Sequence, residues 1–238
     1  MYIVIHGKKL LTVALVLLLV FAAVFLHNQL ATAEIAAMAE QIPILIIDAG
    51  HGGADGGAST EDGVLESDIN LAIAGKLNAL AHLYGVNTVM TRETAAIDYP
   101  AEADTIAKQK VYDQKNRVAL INSYPEGILI SIHQNFYPDS RPMGAQVLYG
   151  HTTEGEAFGK LLHENLVMTL DPDNRRVASP IDDNIYLMRN AMCTAVLVEC
   201  GFLSNPQEAA LLNSTAYQNK ISVVLLASYL EYIGSDVI

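Results

Sequence analysis

Basic side chains are scarce in this sequence of 238 residues. Lysine and arginine number 14 against 26 aspartates and glutamates, so the formal net charge is −12, and the sequence pI is near 4.9. With so few cations, no basic stripe can neutralise a phosphate backbone, and nucleic acid is excluded as a partner. An anionic protein also gains no attraction to an acidic surface, so any recognition of such a surface must be local.

Cysteine is also scarce, since Cys193 and Cys200 are the two present. If the segment between them is extended, they lie about 23 Å apart, which is too far for a disulfide. We expect Cys200 to pack as a small apolar group. A fold built on disulfides is therefore excluded, and in an exported protein this composition suits the bacterial cell envelope.

A long apolar run near the N-terminus indicates export. Lys8 and Lys9 precede Leu10–Leu26, a run of 17 residues with a single threonine, and the first charge after it is Glu34. This pattern keeps the N-terminus inside while the rest crosses the membrane. The run lies at the lower limit for a spanning helix, and Ala31–Ala33 has the A-x-A form of a cleavage site. A cleavable signal peptide and a signal anchor therefore both fit.

Beyond this segment, predicted strands alternate with predicted helices. Residues 1–40 comprise the signal peptide or anchor and a short linker, which leaves residues 41–238 for one domain. The predicted strands are Ile44–Asp48, Val86–Thr91, Ile128–Ile132, Gly144–Tyr149 and Ala195–Glu199, and the predicted helices are Glu66–Tyr84, Asp113–Ser123, Glu154–Leu170, Pro206–Leu212 and Thr215–Ile233. The expected fold is α/β, a single domain with a mostly parallel or mixed central sheet and helices on both faces.

Four candidate site residues fall at one edge of this expected sheet. His51 lies in a glycine-rich stretch directly after the first strand, and His133 and Glu199 lie at or just after the ends of two other strands. Glu66 begins the helix that follows the glycine-rich stretch. Ligands of open α/β sheets bind outside the carboxyl ends of the strands, so these four side chains are expected to meet.

The residue types at this edge point to metal chemistry. Two histidines and one carboxylate can hold a catalytic zinc ion and leave its fourth position to water. Such a metal lowers the pKa of the water and polarises a carbonyl group. A carboxylate outside the ligand set must then move the proton, and Glu199 is the candidate. Two simpler interpretations stay open: Glu199 can end a strand facing solvent, and Glu66 can complement the helix macrodipole without a metal.

Other polar residues have weaker claims to a role in the site. Asp48 either orients His51 or simply ends its strand. Arg92 and Arg117 either face a peptide carboxylate or pair with acidic side chains and cap helices. His163 has no motif around it, so we expect it to face solvent.

Six short motifs occur in order along the chain: Asp48–Asp55, Leu65–Leu71, Met90–Arg92, Arg117–Asn122, Ser131–Asn135 and Val198–Asn205. In this order they resemble the motifs of the zinc-dependent N-acetylmuramoyl-L-alanine amidases of the amidase-3 family, which are cell-wall hydrolases. The resemblance extends from Ile44 to about Ile233. Without appended wall-binding repeats, the sequence is similar to the short, CwlD-like members.

The resemblance implies specific roles for the four candidates. It implies that His51, Glu66 and His133 bind Zn²⁺ and that Glu199 is the catalytic carboxylate. The implied reaction is hydrolysis of the amide between the lactyl group of N-acetylmuramic acid and L-alanine of the stem peptide. The implied substrate is peptidoglycan, and the protein is expected to be a monomer. It is expected to be secreted, or anchored in the cytoplasmic membrane with residues 41–238 outside.

Two other functions remain as alternatives. A zinc peptidase or carboxypeptidase acting on wall peptides would use the same attack of metal-bound water on an amide. A catalytically idle protein that only binds the envelope would need no metal. The glycines around His51 favour a polymeric substrate, because their missing side chains are expected to leave the edge of the site open and shallow.

Overall fold

The computed structural model describes residues 15–30 and 42–235. By their internal contacts, Met1–Ile42 and Pro43–Ile238 form two separate compact units. The second unit contains all four candidate site residues and is described below after the first.

In the first unit, residues 15–30 form helix α1, whose large apolar side chains, such as Leu17 and Phe21, are exposed. Within the described ranges, no helix has both the length and the apolar character needed to cross a membrane. Lys8, Lys9 and the possible cleavage site at Ala31–Ala33 lie outside the described residues. The choice between a signal peptide and an anchor stays a prediction.

The second unit is built on a six-stranded sheet with the order β2-β1-β3-β6-β4-β5. The first four strands in this order run parallel, β4 is antiparallel to β6, and β5 is parallel to β4. This mixed sheet confirms the predicted fold class. The strands are β1 Leu45–Ala49, β2 Thr88–Met90, β3 Ile128–Asn135, β4 Gln146–Tyr149, β5 Ser179–Pro180 and β6 Thr194–Phe202.

Six helices complete the second unit over its described residues. They are α2 Glu66–Leu83, α3 Ile106–Ile121, α4 Thr153–Leu170, α5 Tyr186–Asn190, α6 Pro206–Leu212 and α7 Thr215–Ser235. Helix α3 begins several residues before its predicted start at Asp113, because the hydroxyl of Thr105 accepts a hydrogen bond from the backbone N–H of Lys108 and caps the helix.

The helices cover both faces of the sheet, as the sequence predicts. On one face, Ile47 of β1 and Val198 of β6 belong to a large core that includes Tyr229 of α7. On the other face, Ile46 and Leu197 belong to a smaller core with residues of α3 and α5. Each fully buried aliphatic side chain stabilises the fold by about 1.5–3 kcal/mol relative to an exposed one. Because alternate residues of β1 are buried on opposite faces, a shift of one residue in strand pairing would be costly, and the register is fixed.

Two details of this packing bear on the sequence analysis. Cys200 is fully buried in the larger core and both cysteines are free, which confirms the expected apolar role of Cys200. The expectation for His163 is wrong. It lies on the inner side of α4, 5% exposed, with Nε2 2.8 Å from the carbonyl oxygen of Arg176. Its spacing from the buried residues Phe158, Leu162 and Leu166 of α4 places it inward, whereas the absence of a motif around it had suggested the surface.

Candidate metal centre

The loop after β1 presents His51 in an unusual backbone conformation. His51 has φ 59° and is the sole non-glycine with positive φ in the described part of the chain. Its Nδ1 lies 3.0 Å from an oxygen of Asp55, which also pairs with the ammonium of Lys110 at 2.8 Å. A non-glycine residue in this region costs about 1–3 kcal/mol and persists only where its surroundings hold it. The contact with Asp55 fixes the ring, so the other ring nitrogen, Nε2, points toward Glu66.

Two buried arginines hold this loop in place. Arg92 donates from Nε to the carbonyl of Ala49 at 2.8 Å and from Nη2 to the carbonyl of Gly50 at 3.0 Å. Arg117 donates from Nη1 to the carbonyl of Ala49 at 2.6 Å and from Nη2 to the carbonyl of His51. Both guanidinium groups are therefore occupied by backbone oxygens. Of the two interpretations from the sequence, the structure favours an internal pairing role over contact with a peptide carboxylate.

Asp48 anchors the arginine that supports the loop. One carboxylate oxygen accepts from Nη1 of Arg117 and from the hydroxyl of Thr91, each at 2.7 Å, and the other accepts from the hydroxyl of Ser131 at 2.6 Å. Burial opposes ionisation, but the charge of Arg117 and these hydrogen bonds lower the pKa of Asp48 to about 2. His51 uses Asp55 instead, so Asp48 supports it only through Arg117.

Glu66, the first residue of α2, is 3% exposed and rich in partners. Its Oε1 lies 3.0 Å from Nδ1 of His133 and accepts from the backbone N–H of Gln134 at 3.1 Å. Its Oε2 accepts from the backbone N–H of Ala58 at 2.9 Å and lies 3.3 Å from Nε2 of His51. Burial opposes ionisation, yet the hydrogen bonds with His133 and His51 hold the pKa of Glu66 well below its ordinary value. Glu66 is thus a fixed anion.

His51, Glu66 and His133 form a group able to hold a metal ion. Each offers one ligand atom, and these atoms lie within 4.8 Å of one another. The His133–Glu66 separation of 3.0 Å and the His51–Glu66 separation of 3.3 Å, each to a different carboxylate oxygen, are close to the spacing of about 3.3 Å between ligands bound 2.0–2.1 Å from a tetrahedral ion. Although burial opposes protonation, Asp55 and Glu66 raise the pKa of His51 to about 9. These anionic surroundings favour a cation, and the two nitrogens and one carboxylate match the ligands of catalytic zinc.

Glu199 lies beside this group in a different environment. It pairs with His133 across β3 and β6, and with Gln146 across β4 and β6. Neighbours paired in this way project to the same face, so Glu199 and His133 share the face of the sheet that carries the centre. Its Oε2 is buried without a hydrogen-bond partner in the described part of the protein, and burial raises its pKa. A carboxylate with a free oxygen and a raised pKa is suited to accept a proton.

All four residues predicted from the sequence line one cavity of about 380 Å³. Helices α3 and α5 form its outer wall, where Lys110 and Tyr186 also line it. A strand end that faces solvent does not match Glu199, since its Oε2 is buried. Glu66 lies in the first turn of α2, so its role as a metal ligand stays a prediction.

Comparison with known proteins identifies the family. Residues 45–228 match the family described as N-acetylmuramoyl-L-alanine amidase. The chain belongs to this amidase family. A germination-specific N-acetylmuramoyl-L-alanine amidase of Bacillus subtilis is 36% identical over 190 residues, which cover 79% of each protein.

Solved structures agree with this membership. The CwlD amidase from Clostridioides difficile, solved in complex with the GerS lipoprotein, is 36% identical with a TM-score of 0.76, over 81% of this chain and 99% of its own. An N-acetylmuramoyl-L-alanine amidase from Clostridium difficile 630 is 26% identical with a TM-score of 0.69, over 81% of this chain and 97% of its own. The resemblance to short, CwlD-like amidases is thereby confirmed.

The glycines of this amidase have a different purpose from the one expected. A Cβ on Gly50 would lie 2.3 Å from the ring of His133, and a Cβ on Gly57 would lie 2.5 Å from Oε2 of Glu66. Gly57 also has φ 69°. These two glycines allow the candidate ligands to approach the backbone. The side chains of His133 and Glu66 occupy the space that a Cβ would need. The openness of the site does not follow from them.

Sequence reasoning missed the residues that support the ligands. Asn70 donates to the carbonyl of Gly50 at 3.1 Å and to Oε1 of Glu66 at 3.3 Å, and Gln134 in turn donates to Asn70 at 3.1 Å. Asp55, the partner of His51, was also missed. Two local signals existed: Asn70 follows Glu66 by one helical turn, and Asp55 follows His51 within the same loop.

Proposed function

We propose that this amidase cleaves the bond between N-acetylmuramic acid and L-alanine of peptidoglycan with a Zn²⁺ ion held by His51, Glu66 and His133. Membership of the N-acetylmuramoyl-L-alanine amidase family supports the bond that is cleaved. One observation carries the zinc-dependent mechanism: three ligand groups converge while Glu199, beside them, keeps a buried oxygen free. Zinc bound there would lower the pKa of a water molecule and polarise the scissile carbonyl.

The protein side chains divide the remaining work. Asp55 holds the ring of His51 so that Nε2 faces the ligand position, and Gln134 and Ala58 hold the carboxylate of Glu66 through their backbone N–H groups. Glu199 accepts the proton of the attacking water through its free oxygen and passes it to the leaving nitrogen of L-alanine. A general base works best when its pKa lies near the operating pH, and burial raises the pKa of Glu199 in that direction.

Product analysis on purified muropeptides tests the bond that is cleaved. We expect release of the intact stem peptide from the muramic acid. Cleavage between two amino acids would instead identify a zinc peptidase or carboxypeptidase. Zinc analysis of the same sample, before chelation and after metal is restored, tests metal dependence. A protein without zinc whose hydrolysis is not restored by added metal would be an idle envelope-binding protein.

We further propose that residues 1–40 form a signal peptide or signal anchor and that residues 41–238 form the catalytic domain in the cell envelope. The basic pair, the apolar run and the location of peptidoglycan support this export. The intact mass of the mature protein decides between the two forms. A start near Glu34 means cleavage, and a start at Met1 means retention as an anchor.

A further inference from the structure

A second groove adjoins the candidate metal centre. Its volume is about 560 Å³, and it shares Ala58 and Phe136 with the cavity that contains the four site residues. One wall is the loop of residues 57–64, and the other comprises residues 136–138 and the start of α6. Because Ala58 and Phe136 line both, a long substrate at the centre can contact the groove as well.

Hydrogen bonds hold the walls of the groove in place. The backbone N–H of Tyr137 donates to the hydroxyl of Ser204 at 3.1 Å, and the backbone N–H of Leu203 donates to the carbonyl of Asn135 at 2.9 Å. In the opposite wall, the hydroxyl of Thr60 accepts from the backbone N–H of Val64 at 3.0 Å. Ligand sites are usually preformed, and these hydrogen bonds hold both walls of the groove without a ligand.

The lining of the groove combines exposed aromatic rings with hydrogen-bonding oxygens. Phe136 and Tyr137 are 52% and 56% exposed, although neighbouring aromatic side chains of this size usually bury most of their surface. Thr60, Glu61 and Asp62 supply hydroxyl and carboxylate oxygens on the facing wall. A sugar ring has apolar C–H faces and hydroxyl donors at its edges, so this combination matches a carbohydrate.

Charge distinguishes the two ends of the substrate. No Lys or Arg is among the described residues that line the groove, whereas Glu61 and Asp62 are. A stem peptide ends in a carboxylate, which these acids would repel. A glycan strand has no such charge near the scissile bond, because the lactyl carboxyl of the muramic acid is consumed in the amide. The ammonium of Lys110 lines the cavity at the metal centre, outside the groove, and is paired there with Asp55 at 2.8 Å.

We propose that the groove binds the glycan strand of peptidoglycan, with Phe136 and Tyr137 as the stacking surface for its sugar rings and the stem peptide on the other side of the centre. This proposal rests on the proposed function, since it assigns the two halves of that substrate to two sides of the centre. Tyr137 lines the groove and does not line the cavity of the metal centre, so it can be changed without touching the candidate ligands.

Kinetics with two substrates test the proposal. One is a disaccharide–peptide, and the other is the same peptide carrying an N-lactoyl group without the sugar rings. We expect the full-length protein to prefer the first, and Tyr137→Ala to lower the ratio of the two kcat/KM values about tenfold, chiefly through KM for the disaccharide–peptide. Met143→Ala is the matched control, because Met143 is equally exposed in the same connection but lines neither the groove nor the centre. That variant should keep the ratio.

A binding measurement on the full-length protein separates the possible ligands of the groove. Chitotetraose, a neutral oligosaccharide of N-acetylglucosamine, should shift the nuclear magnetic resonance signals of Tyr137 and its neighbours, and Tyr137→Ala should weaken this binding. A free stem tetrapeptide that shifts these signals in place of the sugar would overturn the proposal. So would an unchanged kcat/KM ratio in Tyr137→Ala. Failure of the wild type to cleave either substrate would instead overturn the proposed function.

Discussion

The start of α2 and the second half of β6 each bring a glutamate to His133, but the two regions treat the carboxylate differently. At the start of α2, both oxygens of Glu66 have backbone N–H donors and histidine nitrogens around them, and its pKa is lowered. In β6, Glu199 has a buried oxygen without a hydrogen-bond partner among the described residues, and burial raises its pKa. Two neighbouring carboxylates whose surroundings shift their pKa values in opposite directions are suited to different roles.

The contrast explains why one glutamate suits a metal and the other a proton. A ligand must remain ionised and fixed, and the partners of Glu66 provide both conditions. A general base must hold an oxygen available and bind a proton in the course of the reaction, which the environment of Glu199 allows. We therefore expect changes at Glu199 to affect turnover and changes around Glu66 to affect zinc binding.

The largest effect is expected from Glu199→Gln. Turnover should fall by about 10²- to 10⁴-fold, because the amide cannot accept the proton of the attacking water. Zinc content should not change. Glu208→Gln is a matched control, because Glu208 is another buried glutamate with a pKa raised by burial, and its oxygens accept from the backbone N–H groups of Gly144 and Phe202. The control should lose stability while each folded molecule keeps its turnover.

A smaller effect is expected from altering the backbone beside Glu66. In Gly57→Ala, the new Cβ would press on Oε2 of Glu66, and zinc affinity should fall about 10- to 100-fold, as for other changes that displace a ligand. Gly63→Ala is the control, because Gly63 also has positive φ but nothing lies within 4 Å of its would-be Cβ. That variant should lose about 1–2 kcal/mol of stability and keep its zinc. Equal zinc affinity in both variants would contradict the close approach at Gly57.

The smallest effect concerns the pH dependence of stability. The pKa of Asp48 is about 2 in the folded protein against a usual 3.8. Because folding lowers this pKa, the ionised carboxylate stabilises the fold by about 2 kcal/mol at a pH above the unfolded-state pKa of 3.8. About half of this stabilisation is lost when the pH falls to 3. Urea unfolding of wild type and Asp48→Asn should therefore show a stability gap that narrows as the pH falls from 6 to 3. A gap of constant size would show that the interactions of Asp48 do not depend on its charge.

Much of this architecture was predictable from local sequence patterns. The apolar runs before His51, His133 and Glu199 predict strands because burial and β-branching are local signals. Since parallel strands end at the same edge, those runs also bring the three residues together. The two-residue strand β5 gave no comparable signal, because it is too short for a period to appear.

What could not be predicted depends on contacts between distant parts of the chain. Arg92 donates to a carbonyl group of the His51 loop that lies 42 positions earlier in the sequence, and Arg117 donates to carbonyl groups 66 and 68 positions earlier. No local pattern reports which acceptor a buried guanidinium will find. The same holds for His163, whose partner is a carbonyl oxygen on the segment after its own helix.

In the proposed mechanism, Glu66 binds the metal and Glu199 moves the proton. Zinc dissociation constants of Glu66→Gln and Glu199→Gln, measured side by side with the same competing chelator, test it most directly. We expect Glu66→Gln to bind zinc at least about tenfold more weakly than wild type and Glu199→Gln to bind it as wild type does. Release of zinc by Glu199→Gln together with wild-type affinity in Glu66→Gln would contradict the assignment.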